Sequence, residues 1–198
     1  MLASIHPLGE RARRRRWGTT VAAYVAASTV AAGLLGAALG AIDRLFGPSA
    51  SAWTTGVAVV ALCALGLAFD LRVGGLRLPT VHRQVDKDWL DRYRGWVVGA
   101  GFGFQLGLGV VTIVSTAAVY LTFALALLSS SAPAGAVVGA TFGLVRALVI
   151  LGVAGVRRPD QLRAALRRMQ AWRPQAERAG IAVQALAMVT VGAVAITR

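Results

Sequence analysis

The feature that most constrains this chain is the recurrence of apolar runs long enough to cross a lipid bilayer. A helix needs roughly 20 apolar residues to span about 30 Å of hydrocarbon. Gly18 to Ile42 carries no charge and ends at Asp43-Arg44, before the turn-forming Gly47-Pro48-Ser49. Trp53 to Leu71 stops around Asp70 and Arg72, and Trp96 to Leu128 is uncharged throughout and longer than one crossing needs. Ala134 to Val156 and Gly180 to Ile196 complete the set. The expected fold class is therefore all-α: a polytopic integral membrane helical bundle with about five transmembrane helices and amphipathic cytoplasmic connector helices. Residues 1–17 form a basic tail and residues 18–198 a single transmembrane domain.

A net charge of +13 is common in nucleic-acid binders, but its placement here argues otherwise. Eighteen of the 21 Lys and Arg residues lie in three segments, 1–17, 72–94 and 157–178, which alternate with segments 43–52 and 129–133 that hold only Arg44. Positive residues collect on the cytoplasmic side of membrane proteins. The expected location is thus a bacterial inner membrane, multi-pass, with the N-terminus cytoplasmic and the C-terminus outside. The run after Arg11–Arg16 is longer than a secretory signal core, so a retained first helix is expected. The same rule bears on Trp96–Leu128: two crossings there would put 157–178 outside. One long crossing, tilted or bent at glycine, is preferred, with a re-entrant half-helix as the alternative.

Two basic segments have helical periodicity. Leu162, Leu166, Met169 and Trp172 share a face interleaved with Arg163, Arg167, Arg168 and Arg173. This pattern suits a helix in the cytoplasmic interface, held by anionic lipid. Val85, Trp89, Tyr93 and Trp96 form a similar stripe.

Residues 97–103 read VVGAGFG and residues 137–143 read VVGATFG, and by the expected topology the two copies run in opposite directions. Gly95, Gly99, Gly103 and Gly107 recur every fourth residue, and Gly139 and Gly143 continue the theme. Such faces let helix backbones approach closely in a membrane, so helix packing is their expected role; Gly101 and Gly109 could mark a bend or break. Arg146 lies near the middle of its apolar run, where a cation costs about 2.5–3.5 kcal/mol and normally faces protein or a cavity. In the repeat register it falls beside Gln105. A candidate polar site therefore comprises Arg146, Gln105, Thr112 and Thr141, with Ser115, Thr116 and Tyr120 nearby. The competing reading makes Arg146 structural glue, bonded to Gln105 and free carbonyls.

There is one cysteine, Cys63, and two histidines, His6 and His82, with no nucleophile triad, paired carboxylates or phosphate loop. No catalytic residues, metal or cofactor are expected.

The segments GAGFGFQLG and GATFGLVRA, with their opposite directions, resemble small inverted-repeat membrane proteins: LysE-type and TauE-like exporters and the CcdA/DsbD-like cytochrome c biogenesis proteins. The resemblance covers Gly95 to Gly155. It implies a compact bundle with an inverted duplication. The thiol carriers of the last group need two membrane cysteines, and a chain with Cys63 alone does not meet that requirement. The resulting expectation is a transporter or exporter of a small polar or anionic solute. The alternative is a non-catalytic structural or assembly subunit of a larger membrane complex. Expected partners are the bilayer, with anionic lipid at its cytoplasmic face, and a homo-oligomer or membrane partner subunit; nucleic acid is excluded.

Overall fold

The computed structural model describes residues 6–46, 51–75, 93–109 and 116–197, and these are helical wherever they are regular. The helices are α1 (Pro7–Ala12), α2 (Trp17–Phe46), α3 (Ala52–Asp70), α4 (Gly95–Gly107), α5 (Ala118–Leu128), α6 (Ala132–Leu148) and α7 (Pro159–Thr197). Among the described residues, Trp17–Ile42, Trp53–Asp70 and Ala132–Val153 are each long and apolar enough to cross a membrane. The fold is the expected helical membrane bundle.

α2 is its axis. A Cβ added at Gly99, Gly103 or Gly107 of α4 would fall on the carbonyl oxygens of Thr20, Tyr24 and Ser28 in turn. On α6, Gly135, Gly139 and Gly143 meet the carbonyls of Gly36, Ala32 and Ser28. Residue numbers rise together in the first series and oppositely in the second. α4 is thus parallel to α2 and α6 antiparallel, so the two matched heptapeptides do run in opposite directions. The glycine faces pack as expected, because four-residue spacing keeps small residues on one side of a 3.6-residue helix. Ser28 adds a buried hydrogen bond, its Oγ donating to the Gly143 carbonyl at 2.9 Å. Val21, Tyr24, Val98, Phe102, Leu106, Ala147 and Ile150 fill the space between these helices.

The expected crossing over Trp96–Leu128, tilted or bent at glycine, is interrupted. The segment is broken into α4 and α5, of about 20 and 16 Å at 1.5 Å per residue, neither of which reaches across the hydrocarbon. Gly109 supplies the reason. Its φ is +68°, in the left-handed region, and a Cβ there would lie 2.7 Å from Phe123 Cε2. Only glycine meets both conditions. α5 is joined to α6 by the tight turn at Ser129–Ser131 and is therefore antiparallel to it, so α5 runs the same way as α2 and α4. Among the described residues the stretch holds two short helices of the same direction.

The connector reading is also revised. Residues 160–172 are continuous with 180–196 in the single helix α7, which accommodates Pro174 internally. A proline removes one backbone donor but need not end a helix. Leu162, Leu166 and Met169 are half-buried, Met169 lying against Gly152, whereas Trp172 is exposed. Of the second stripe, Tyr93 and Trp96 are exposed and Val85 and Trp89 lie outside the described residues.

The basic N-terminal segment folds onto the base of the bundle. Glu10 is fully buried and its Oε2 accepts from Thr20 Oγ1 at 2.7 Å, with Gly95 leaving the room. The His6 side chain caps α1, accepting from the Gly9 N–H through Nδ1 at 3.1 Å. Burial, and then Arg13, hold the His6 imidazole below its ordinary pKa, with Glu10 opposing them. Only neutral imidazole can accept this bond. The contribution to α1 is therefore complete above about pH 6.5 and is lost as pH falls through the lowered value. Amide exchange at Gly9 and Glu10 should accelerate on acidification, and a His6→Asn variant, which caps without titrating, should not respond.

Gly103→Ala is expected to force α4 from α2 and cost about 1–3 kcal/mol. Gly180→Ala, at a helical position with nothing within 4 Å of an added Cβ, should stabilise by up to about 1 kcal/mol. Thermal unfolding in detergent reads both.

Candidate functional site

The broken helix exposes the two backbone ends that a continuous helix would hide. α4 ends in carbonyls, which carry partial negative charge, and α5 begins with free N–H groups, which carry partial positive charge. Each end faces a side chain of opposite sign.

At the α4 end is Arg146. Its Nη1 approaches the Leu106 carbonyl at 3.5 Å, a length at which attraction to the helix terminus matters more than a directed bond. The guanidinium also sits 5.5 Å from the centroid of Phe142, a cation–π arrangement. Phe142 in turn meets Phe123 edge-on, with centroids 5.4 Å apart and rings at 69°. Arg146 is thereby tied to α4 directly and to α5 through two rings.

At the α5 end is Asp70, the last residue of α3. Its Oδ1 accepts from the Ala117 N–H at 2.8 Å, and its Oδ2 accepts from Gln184 Nε2 of α7 at 3.0 Å. Asp70, which closes the apolar Trp53–Asp70 helix, is thus half-buried against the start of α5.

Among the described members of the expected site, Gln105 and Thr141 lie away from the packed helix faces. Gln105 lies two residues from Gly103 and Gly107, about 200° round α4 from the packed face, and Arg146 reaches the neighbouring backbone carbonyl instead. Thr141 is exposed, for the same reason relative to Gly139 and Gly143. Thr112 and Ser115 lie outside the described residues. Asp70 and Gln184 went unremarked as a pair because they are 114 residues apart; the one local signal was an aspartate inside the end of an apolar run. Tyr120 lines a cavity of about 260 Å³ between α3 and α5, with Leu62, Leu65, Phe69, Ala117 and Leu121. Its wall is almost wholly apolar.

Asp70→Leu removes the acceptor from two donors and is expected to cost about 2–4 kcal/mol. Asp70→Asn keeps an acceptor for Ala117 and should cost less than half as much, as read by denaturation in detergent. Arg146→Leu relieves a buried charge while losing its contacts, so its net effect on stability should be under about 1 kcal/mol. Faster amide exchange at Leu108 and Gly109 would reveal the uncapped α4 end.

A family model described as cytochrome C biogenesis protein transmembrane region matches residues 3–192. Among curated proteins, methylamine utilization protein MauF of Paracoccus versutus is 34% identical over 153 residues, covering 75% of this chain and 55% of that protein. MauF of Methylophilus methylotrophus is 33% identical over 138 residues, covering 68% and 47% respectively. MauF of Paracoccus denitrificans is 31% identical over 159 residues, covering 79% and 54%. The chain spans about half the length of these relatives. No solved structure matches it. The biogenesis branch of the resemblance seen in GAGFGFQLG and GATFGLVRA is the one this match supports: the chain belongs to the family of cytochrome c biogenesis transmembrane regions.

Proposed function

We propose that the chain is a non-catalytic membrane subunit that supports the assembly or maturation of another protein, the role indicated by its family and by relatives named for methylamine utilization. The observation that carries this reading is the contact of α4 and α6 with the α2 backbone. Glycines stacked on the carbonyls of Thr20, Tyr24, Ser28, Ala32 and Gly36 leave no clearance for one helix to rock against the next. Such a core suits a rigid platform better than a carrier that alternates between two packings. Cys63 is buried in α3 and is the single cysteine of these 198 residues. A thiol relay through it would need a second thiol from outside these 198 residues.

In this reading the protein lies in a bacterial inner membrane with its N-terminus and arginine-rich segments in the cytoplasm. The exposed arginines of α7, with Trp172, rest on anionic headgroups. The apolar outer faces of α3 and α7 meet a membrane partner or a second copy.

The break between α4 and α5 favours one further reading, movement of a small polar or anionic solute past Arg146, because discontinuous helices in transporters place charged groups at mid-membrane. The two readings separate experimentally. Affinity purification of the full chain from its native membrane should recover a partner in fixed ratio, and the purified chain alone in liposomes should show no solute flux. Flux by the isolated chain that Arg146→Leu abolishes would reverse the assignment.

A further inference from the structure

The polar group at the start of α5 is unfinished. Gln184 is only 6% exposed, and its Oε1 is buried with no hydrogen-bond partner among the described residues. The orientation of its amide is dictated by chemistry. Turned over, the amide would set its oxygen against the Asp70 carboxylate, two acceptors face to face. Nε2 must therefore face Asp70, and Oε1 must point to something else. A buried carbonyl without a donor costs about 1–3 kcal/mol, so an occupant that supplies positive charge or a proton offsets a real penalty.

The surroundings define that occupant. The Asp70 carboxylate receives two hydrogen bonds, one on each oxygen, which leaves lone pairs on both. The N-terminus of α5 cancels only about half a charge. A carboxylate and an amide oxygen together repel an anion. One carboxylate also falls short of the multiple charged oxygens that divalent ions collect. What fits is a small centre of single positive charge, either an alkali ion or an ammonium group. The apolar cavity of about 260 Å³ adjoins this point through Phe69 and Ala117, the neighbours of the Asp70 carboxylate, and could hold a short alkyl substituent.

We propose that Asp70 and Gln184, joined at the first turn of α5, form a binding site for a small monovalent cation. This site is independent of whether the protein acts in assembly or in transport. A cation there would strengthen the contact between α3, α5 and α7, so its occupancy would set how firmly α5 is held.

The test is thermal unfolding of the purified full chain in detergent, followed by tryptophan fluorescence. Sodium, potassium, ammonium and ethylammonium chlorides are titrated against choline chloride at constant ionic strength. The wild-type midpoint should rise saturably by several degrees with at least one of these cations. A response to the metal ions identifies an alkali-ion site; a response to ammonium or ethylammonium identifies an amine site. Gln184→Leu, of similar volume without the oxygen, and Asp70→Asn, without the charge, should each reduce the saturable shift at least tenfold in apparent affinity. Equal responses to every salt, choline included, would overturn the proposal without recourse to a variant. A shift that survives in both variants would overturn it as well.

Discussion

The close approach of α4 and α6 to the backbone of α2 is the constraint on which the remaining architecture depends. In lipid there is little hydrophobic drive to bring helices together, so association rests on van der Waals contact and on the few polar bonds available. Glycine faces on two sides of α2 make that contact as short as a backbone allows. Once α4 and α6 are fixed on the same carbonyl ladder, both reach Ser28, from opposite directions. That level becomes the one at which α4 ends, and the break falls there.

A break in the middle of a bilayer is tolerated only if the freed backbone groups are satisfied within the protein. The structure satisfies them with charges instead of neutral side chains. Arg146 faces the α4 carbonyls and Asp70 faces the α5 amides. Each charge is complementary to the half-charge of a helix end, and each is thus less exposed electrostatically than its position in an apolar span implies. A direct ion pair would hold two elements together. This arrangement engages more of them, because Asp70 is on α3, Gln184 on α7, Arg146 on α6, and the ends they serve are on α4 and α5.

Much of this was legible in the sequence and the rest was not, for definable reasons. The glycine faces were readable because a spacing of four residues marks one side of a helix whatever its partner. The opposite directions of the two GA-x-FG segments followed from where the arginines sit. Arg146 stood out because an isolated charge in an apolar run has few explanations. Register placed Gln105 opposite it, and the structure sets it against the carbonyl of the neighbouring Leu106, one of the free carbonyls at the end of α4. Asp70 does close its apolar helix, as expected, but its contact with Ala117 was hidden because the start of α5 depends on the break at Gly109. Which of the 23 glycines takes a positive φ, as Gly109 does, has no signature in composition. Glu10 was hidden for a related reason: a carboxylate among five arginines looks solvated until Thr20 and the bare backbone of Gly95 enclose it.

The two short helices also differ in how they are secured. α4 is bound to α2 along its whole length through Gly99, Gly103 and Gly107, and its Arg146 cap adds to a helix already held. α5 carries no such stripe. Its buried face consists of Val119, Phe123 and Ala126, side chains that can repack, and its first turn rests on Asp70 and, through it, on Gln184. The helix with the weaker packing therefore has the more elaborate polar anchor. It also borders the apolar cavity lined by Phe69, Ala117 and Tyr120 and lies beside α3. Rigidity concentrated around α2, with adjustable contacts around α5, is the distribution expected where a fixed membrane platform must respond to something bound at its side.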